Sequence, residues 1–516
     1  MRLILIFLLS LITIPELSVA QKTPREGAVL NYRIIGFSFP IKEKAENYRL
    51  QISSGNFNKE KDFDKNVIID TQINLNKLII SVPSFGKQYT WRVSYGKKTG
   101  ALNHFSTAMA PPADTTQTRM RIITPAEKYK DCYVFTDCNK TLYDMQGNPV
   151  WFFPEIENRK QATFSVRDLK TNLLGTITAI VNCRLYEMDY DGNILWTGPD
   201  NNLASLDTLT SDNGYHHEFT RIANGHYMAM GFEEPWWPLP AKPDTTAFLY
   251  NLNKIKQEGD RYYQKMFFGT VLEYDATGKI VWKWTTGDYV KQSDLKNKML
   301  PNGLYNCNNT HSNAFCLDEK RKTIYISFRD INRVIQVSYP SGELLHTYGK
   351  LNSAGRVYDR RLTNGVFCGQ HSCRSLSDDG SLYLYNNNAC NRNSMPEIVR
   401  LKLPPDGVDT VEKVWDWECT LEPGEEKKDY IYSYGGNVIE LKNHDMFVCI
   451  GGTYGKMLIV SEDKKILWSA QTEKWDISKK QWIKEGVMIN NITREGSYRA
   501  SIITHDELER IIWGGK

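Results

Sequence analysis

The sequence predicts an all-β protein, a six-bladed β-propeller preceded by a small N-terminal β-sandwich of the fibronectin or immunoglobulin kind. Three observations carry this prediction: a turn motif that recurs six times after residue 118, short alternating apolar segments before residue 110, and a proline-containing polar stretch between them. The expected divisions are a cleavable signal over residues 1–20, a sandwich over 21–110 and a propeller over 118–516.

The chain opens on Arg2, an apolar run from Leu3 to Pro15 and a small-residue ending at Ser18-Val19-Ala20, the layout of a cleavable secretory signal. The run is too short to span a bilayer, and no cysteine follows the small residues to accept a lipid. The expectation is an exported protein without a membrane anchor, periplasmic if the host is Gram-negative.

Between Asn31 and Ala108 lie Tyr48–Ile52, Val67–Asp70, Leu78–Val82 and Tyr89–Val93, each alternating apolar with polar residues and separated by Gly, Asn and Pro turns. Alternation of period two buries one face of a strand, so these segments predict a small sandwich. Pro111-Pro112-Ala-Asp-Thr-Thr then reads as a stiff polar linker.

The repeated motif is a turn containing Gly, Asp or Lys, then two apolar residues, then usually Trp. Its copies are Asp144–Trp151, Asp189–Trp196, Asp275–Trp282, Tyr339–His346, Asp406–Trp415 and Ser461–Trp468. A single four-stranded sheet cannot bury both its faces, so six such units are expected to close into a ring. The tail Ser497–Ile503 lacks the motif and reads as the strand that completes the first blade from the far end of the chain. An insertion after the second copy, rich in aromatic residues and proline at Glu234–Pro240, reads equally as the wall of an aryl pocket, a surface excursion or a subunit contact.

A net charge of +4 with no polybasic block argues against a nucleic-acid partner. In an oxidising compartment some of the ten cysteines are expected to pair. The candidates are Cys132 with Cys138 and members of the group Cys307, Cys316, Cys368, Cys373 and Cys390. None shows C-x-x-C spacing, so no metal site is expected from them.

Three consecutive blades begin their inner strand with histidine: Tyr215-His216-His217-Glu218, Thr310-His311-Ser-Asn313 and Gln370-His371-Ser-Cys. Counting back five residues from Ile222 and Leu376 reaches His217 and His371, and the same count from Leu441 reaches Gly436. The spacing favours His217 over His216 as the residue facing the channel. A lone histidine at a strand start is more often a structural hydrogen-bonding residue than a catalyst. Three converging on one mouth of one channel are a candidate site.

Asn313 follows His311 on the same face of its strand, and Arg329 lies on or just after the next strand. A guanidinium offers a fixed fork of donors suited to sulfate or phosphate, with a salt bridge to Asp330 as the structural alternative.

This set of residues, His-x-Asn followed by Arg329, preceded by His-His-acidic and followed by Gly-Gln-His, resembles the bacterial PAPS-independent arylsulfate sulfotransferases over essentially the whole mature chain. The resemblance implies a sandwich in front of a six-bladed propeller with the active site at its channel. It implies His371 as the nucleophile, with His217, His311 and Arg329 as catalytic residues and Asn313, His216 and Gln370 at the substrate. It also implies no cofactor, a phenolic sulfate ester as donor, a phenol as acceptor and ping-pong transfer through a sulfohistidine, and it allows a homodimer.

The residues fit that chemistry. A neutral imidazole can attack sulfur when the equatorial oxygens are held and their charge is balanced, a second histidine can serve the phenolic oxygen, and no Gly-rich phosphate loop is present for a nucleotide donor. The alternatives are a metal-dependent propeller lyase or hydrolase using the three histidines, against which the nearby Arg329 speaks, and a non-catalytic binding propeller.

Overall fold

The computed structural model describes residues 22–42, 47–156, 165–200, 214–244, 255–295, 299–305, 310–349, 366–375, 379–389, 394–403, 411–420, 435–451, 455–484, 486–489, 492–495 and 497–514. The proposed signal, the start of the fifth motif copy at Asp406, Leu376 and the cysteines Cys307 and Cys390 lie outside these residues. The chain is all-β and divides into two compact units, residues 1–108 and 109–516.

In the first unit a five-stranded sheet orders Ala28–Leu30, Asn103–Thr107, Gln88–Ser94, Tyr48–Ser54 and Val67–Ile73, and Ile34–Ser38 pairs with Lys77–Ser81 in a second sheet. Phe37 of the small sheet meets Trp91 of the large one edge-on at 5.2 Å and Phe105 at 6.0 Å. Each such ring contributes about 2–3 kcal/mol by leaving water, which holds two sheets together over a core that also includes Leu50 and Ile52.

Among the described residues the second unit contains five four-stranded antiparallel sheets, followed in chain order by a sixth, six-stranded one. Their innermost strands are Ala500–Ile503, Val166–Thr171, His216–Arg221, Ser312–Asp318, His371–Ser375 and Asn437–Glu440. Each of these adjoins the next, and Asn437–Glu440 adjoins Ala500–Ile503, so the inner strands form a closed circuit compatible with a propeller-like fold. The tail strand Ala500–Ile503 pairs with Tyr133–Thr136 of the first sheet, as its sequence suggested. A second closure was not anticipated: Thr118–Thr124, from the start of the unit, pairs along Ile466–Asp476 of the sixth sheet.

The turn motifs are the hairpins between third and fourth strands, and their chemistry explains their recurrence. The Asp144 carboxylate accepts the backbone N–H groups of Gln146 and Asn148, and Asp275 accepts those of Thr277 and Lys279. The fourth position adopts the left-handed conformation, which Gly147, Gly192, Gly278 and Gly342 occupy without a Cβ penalty and Lys464 occupies in the sixth copy. The motif tryptophan reaches the next sheet: the indole N–H of Trp151 donates to Tyr190 O, that of Trp282 to Pro340 O and that of Trp415 to Glu462 O. Each acceptor is the second residue of the following motif copy, so one sequence repeat supplies both halves of an inter-sheet latch.

Two expectations are corrected. The Pro111-Pro112 stretch is a short 3-10 turn with Pro112 and Ala113 buried, and it belongs to the second unit rather than forming a solvated linker. No disulfide joins two described cysteines, and Cys132 and Cys373 carry free thiols. Cys132 and Cys138 flank the extended strand Tyr133–Thr136, whose rise of about 3.3 Å per residue keeps them beyond the ~7 Å Cα limit for a bridge. Cys132, Cys373 and Cys449 are instead buried as small apolar side chains among Val, Met and Leu residues.

The insertion folds as a small sheet ordered Trp236–Pro238, Arg261–Lys265, Ile255–Glu258. Trp237 packs edge-on against Phe268, and the Gln264 amide brackets the Tyr305 backbone through both of its polar atoms. Leu239 and Met266 share one buried core with Phe268, Val290, Leu295, Leu304 and Tyr305.

Candidate active site

The inner strands of the second to fifth sheets are bulged where they enter the channel. His217 and Glu218 stand between the paired residues His216 and Phe219, Asn313 between Ser312 and Ala314, and Ser372 between His371 and Cys373. Asp168, His217, His311 and Ser372 adopt positive φ of 52°, 60°, 48° and 48°. For non-glycine residues this costs roughly 1–3 kcal/mol each, so other contacts must hold it in place.

Arg499, at the head of the tail strand, supplies those contacts. Its Nη1 donates to Glu218 Oε2 at 2.7 Å, Asp168 Oδ1 at 3.1 Å and His217 O at 2.6 Å, and its Nη2 donates to Asn313 O at 3.0 Å. One guanidinium thus ties the second, third and fourth sheets at their strained positions. Glu218 also receives Lys170 Nζ at 2.7 Å and Arg374 Nη2 at 3.1 Å. Burial alone would raise its pKa, but Arg374, Arg499 and Lys170 hold the carboxylate well below the usual range.

The bulges aim three imidazoles at one space. The His217 ring lies 5.4 Å from that of His311 and 6.4 Å from that of His371, and the Tyr498 ring sits 5.9 Å from His217 and 6.4 Å from His371. The protons on two of these rings follow from their partners. His216 Nε2 meets Gly231 O at 3.1 Å, and a carbonyl only accepts, so that nitrogen carries hydrogen. In a neutral ring His216 Nδ1 is then an acceptor, so His217 Nδ1, 2.5 Å away, donates to it. His217 Nε2 is left with a lone pair. His371 Nδ1 lies 2.7 Å from Asn387 Oδ1, and the Asn387 amide nitrogen donates to Gly435 O at 3.1 Å. His371 Nε2 is therefore also a lone pair.

Burial depresses all three histidines well below the ordinary 6.5. The fixed cations add to this: Arg167 and Arg499 act on His217, and Arg329 leads for His311 and His371. At neutral pH the rings are uncharged bases among guanidinium groups, an arrangement suited to an anion and to nucleophilic attack on it.

The structure thus brings His217, His311 and His371 together. Arg329 follows the strand Thr323–Phe328, donates its backbone N–H to His311 O at 3.0 Å and makes the alternative salt bridge, Nε to Asp330 Oδ1 at 2.7 Å. Asn313 is fully buried, with its amide nitrogen on Gln370 O at 2.7 Å. His216 and Gln370 make contacts within the protein. His216 stands behind His217 and stacks on Phe232 at 4.1 Å. The Gln370 amide nitrogen is directed to Ser327 Oγ, Phe328 O and Arg333 O of the neighbouring sheet.

Sequence reasoning missed Arg167, Tyr498, Arg499 and Asn387. Arg167 packs its guanidinium 5.1 Å over the Tyr498 ring. The signal for it was present: Asn172 N bonds Thr176 O as Ile222 N bonds His226 O, and counting back five from Asn172 reaches Arg167 as the same count from Ile222 reaches His217. Tyr498 and Arg499 head a tail already read as an inner strand.

Residues 246–418 match the model of the arylsulfotransferase (ASST) family. No curated protein matches the chain. Similar solved structures include a protein of unknown function from Bacteroides caccae, 11% identical over 68% of this chain and 93% of that one, with a TM-score of 0.37. An auxiliary nutrient binding protein from Bacteroides ovatus is 9% identical over 92% and 89%, with a TM-score of 0.32. Apo AztD from Citrobacter koseri is 8% identical over 89% and 98%, with a TM-score of 0.28. The family match takes in His311, Asn313, Arg329 and His371, so over that segment the chain is similar to the arylsulfotransferases.

Proposed function

We propose that the protein is a PAPS-independent aryl-sulfate sulfotransferase, built as a sandwich over residues 21–110 and a six-bladed propeller over 118–516. It moves a sulfuryl group from a phenolic sulfate ester to a phenol through a sulfohistidine on His371. The observation that carries the reading is the bare Nε2 of His371, oriented through Nδ1 and surrounded by cationic charge, within a matched arylsulfotransferase segment.

In the first half-reaction His371 Nε2 attacks sulfur and the sulfur–oxygen bond to the aryl group breaks, its electron pair leaving on the phenoxide. Arg329 and Arg167 balance the charge on the sulfuryl oxygens, assisted by the Asn313 amide. An anionic donor entering among these cations raises the proton affinity of the depressed imidazoles. One of His217 and His311 takes up a proton with the donor and passes it to the departing oxygen. In the second half the same nitrogen removes the proton of the incoming phenol, whose oxygen attacks sulfur and frees His371.

The proposed setting is an exported, periplasmic one in a Gram-negative host, in keeping with the leader-like residues 1–20. The metal reading finds less support. A divalent ion at the three histidines would meet the charges of Arg167, Arg329 and Arg499, and among the described residues no group of three His, Cys, Asp or Glu could hold a metal ion.

Incubation with a chromogenic aryl sulfate, with and without phenol acceptor, followed by intact-mass analysis of the donor-only sample, tests the proposal. Acceptor-dependent phenol release and a sulfuryl adduct on His371, both abolished in a folded His371→Asn variant, are expected. Turnover without an adduct, or turnover retained in that variant, would overturn it.

A further inference from the structure

The Asn387 side chain lies outside every motif that marks the site, yet it is buried to 1% exposure and touches the proposed nucleophile. It follows the strand Leu382–Asn386, in a run of three asparagines that divide their work. Asn386 Oδ1 accepts from Cys368 N and Asn388 N, while its amide nitrogen reaches Glu397. Asn388 Nδ2 donates to Met395 O. The two outer residues tie down the loop, and the middle one is aimed into the channel.

An amide can present either its oxygen or its nitrogen to a ring, so the direction of Asn387 has to be fixed by a third group. That group is Gly435 O, which can only accept and therefore takes the amide nitrogen at 3.1 Å, leaving Oδ1 to face His371 Nδ1 at 2.7 Å. The carbonyl is itself held: Gly435 and Gly436 have φ of +69° and +92°, and a Cβ on them would come within 2.8 Å of Tyr498 O and 2.3 Å of the Tyr385 ring. Gly436 N also donates to Tyr498 O at 2.8 Å. The chain of constraint runs from the tail strand through the glycine pair and Asn387 to the histidine.

We propose that Asn387 is the positioning residue of the sulfuryl-transfer site, keeping His371 in the Nδ1–H tautomer so that Nε2 offers its lone pair to sulfur. The proposal rests on the sulfotransferase reading. When Nε2 forms its bond to sulfur and the phenoxide departs with the electron pair, the ring retains its Nδ1 proton and becomes a sulfuryl-bearing imidazolium. Asn387 Oδ1 then accepts from a charged donor, a stronger bond than in the resting state, so the contact favours the intermediate over free enzyme. A neutral amide in this place also leaves the intermediate less stabilised than a carboxylate would, which keeps the sulfuryl group transferable to the second phenol.

Three measurements test this. In wild-type protein labelled with 15N-histidine, the His371 signal, identified by its loss in His371→Asn, should show Nδ1 protonated and Nε2 bare near neutral pH. Asn387→Leu should slow donor-only labelling of His371 on the order of 10–100-fold, with donor affinity changed less than about twofold. Asn387→Asp should keep the tautomer and move the acid limb of kcat/KM to higher pH, because a carboxylate raises the proton affinity of the ring. An Nε2–H tautomer in the wild type overturns the proposal even if Asn387→Leu fails to fold. Unchanged labelling in Asn387→Leu, or an unmoved acid limb in Asn387→Asp, also overturns it. Absence of a His371 adduct in active wild type instead overturns the sulfotransferase mechanism, whatever the tautomer.

Discussion

The indole N–H of Trp468 donates to Met145 O at 3.1 Å, joining the last turn motif of the chain to the first. It is the same latch that links earlier neighbours, now spanning the full length of the second unit. Trp468 is fully buried and lies in one core with Met145, Phe447 and Ile459. Closure of the circuit therefore rests on this contact together with the two strands exchanged between the chain ends.

Trp468→Phe should destabilise the second unit by about 1–3 kcal/mol, because it removes the donor and strands a buried carbonyl while keeping much of the ring packing. Trp468→Ala should cost about 3–5 kcal/mol by opening a cavity as well. Chemical denaturation followed by tryptophan fluorescence and circular dichroism checks both. Equal stability of Trp468→Phe and wild type would count against the latch.

Removing the guanidinium that ties the strained strands should be more severe. Arg499→Met leaves Glu218 and Asp168 short of a buried cation and should cost about 3–5 kcal/mol, with loss of sulfuryl transfer. Arg499→Lys should recover little, since an ammonium cannot span Glu218, Asp168, His217 O and Asn313 O together. Thermal unfolding and turnover of the two variants decide this, and a lysine variant with near wild-type activity would contradict it.

Arg167 acts on the histidines by charge. Burial comes first in lowering His217 and His311, and the Arg167 cation lowers both further. Arg167→Leu should raise both pKa values, shift the acid limb of kcat/KM upward and raise the KM for an aryl sulfate about tenfold through loss of a charged donor. A pH–rate profile with unchanged limbs would show that Arg167 does not reach the reacting groups.

Stability should fall in acid for a defined reason. The histidine pKa values are depressed in the folded state, so below their unfolded value of about 6.5 the unfolded chain binds more protons than the folded one. Their contribution is complete above about 6.5 and is lost as pH falls from there toward the depressed folded values. Denaturation midpoints between pH 7 and 5 should decline, and less steeply in His311→Gln than in wild type. Parallel declines would assign the acid sensitivity to other groups, but not to Asp137, whose carboxyl burial pushes up to about 7 and which therefore favours the folded state as pH falls.

The turn motifs were legible because the described copies make one local demand: a residue at positive φ in the fourth position and, four residues later, a tryptophan in all but the fourth copy, with Asp144 and Asp275 capping backbone N–H groups. The histidines were legible because inner-strand starts recur with the repeat. Arg167 obeyed that same periodicity and was missed for want of applying it to residues other than histidine. Arg499 and Asn387 were harder, since an arginine and an asparagine near strand ends are ordinary surface residues until the partners they face are known. The Cys132–Cys138 expectation failed because spacing along the chain says nothing about separation across an extended strand.

What the sequence by itself determined is the all-β repeat and the recurrence of histidine at the start of three inner strands, because these follow from local backbone chemistry repeated at intervals. Only the tertiary structure decided which nitrogen of His371 is bare, which of His216 and His217 faces the site, and that Arg499 buckles three sheets at their strained positions. Those outcomes depend on groups more than a hundred residues apart in the chain, or on a carbonyl that accepts from one side only, and no local pattern encodes which donors and acceptors will meet when the two ends of the chain close the circuit.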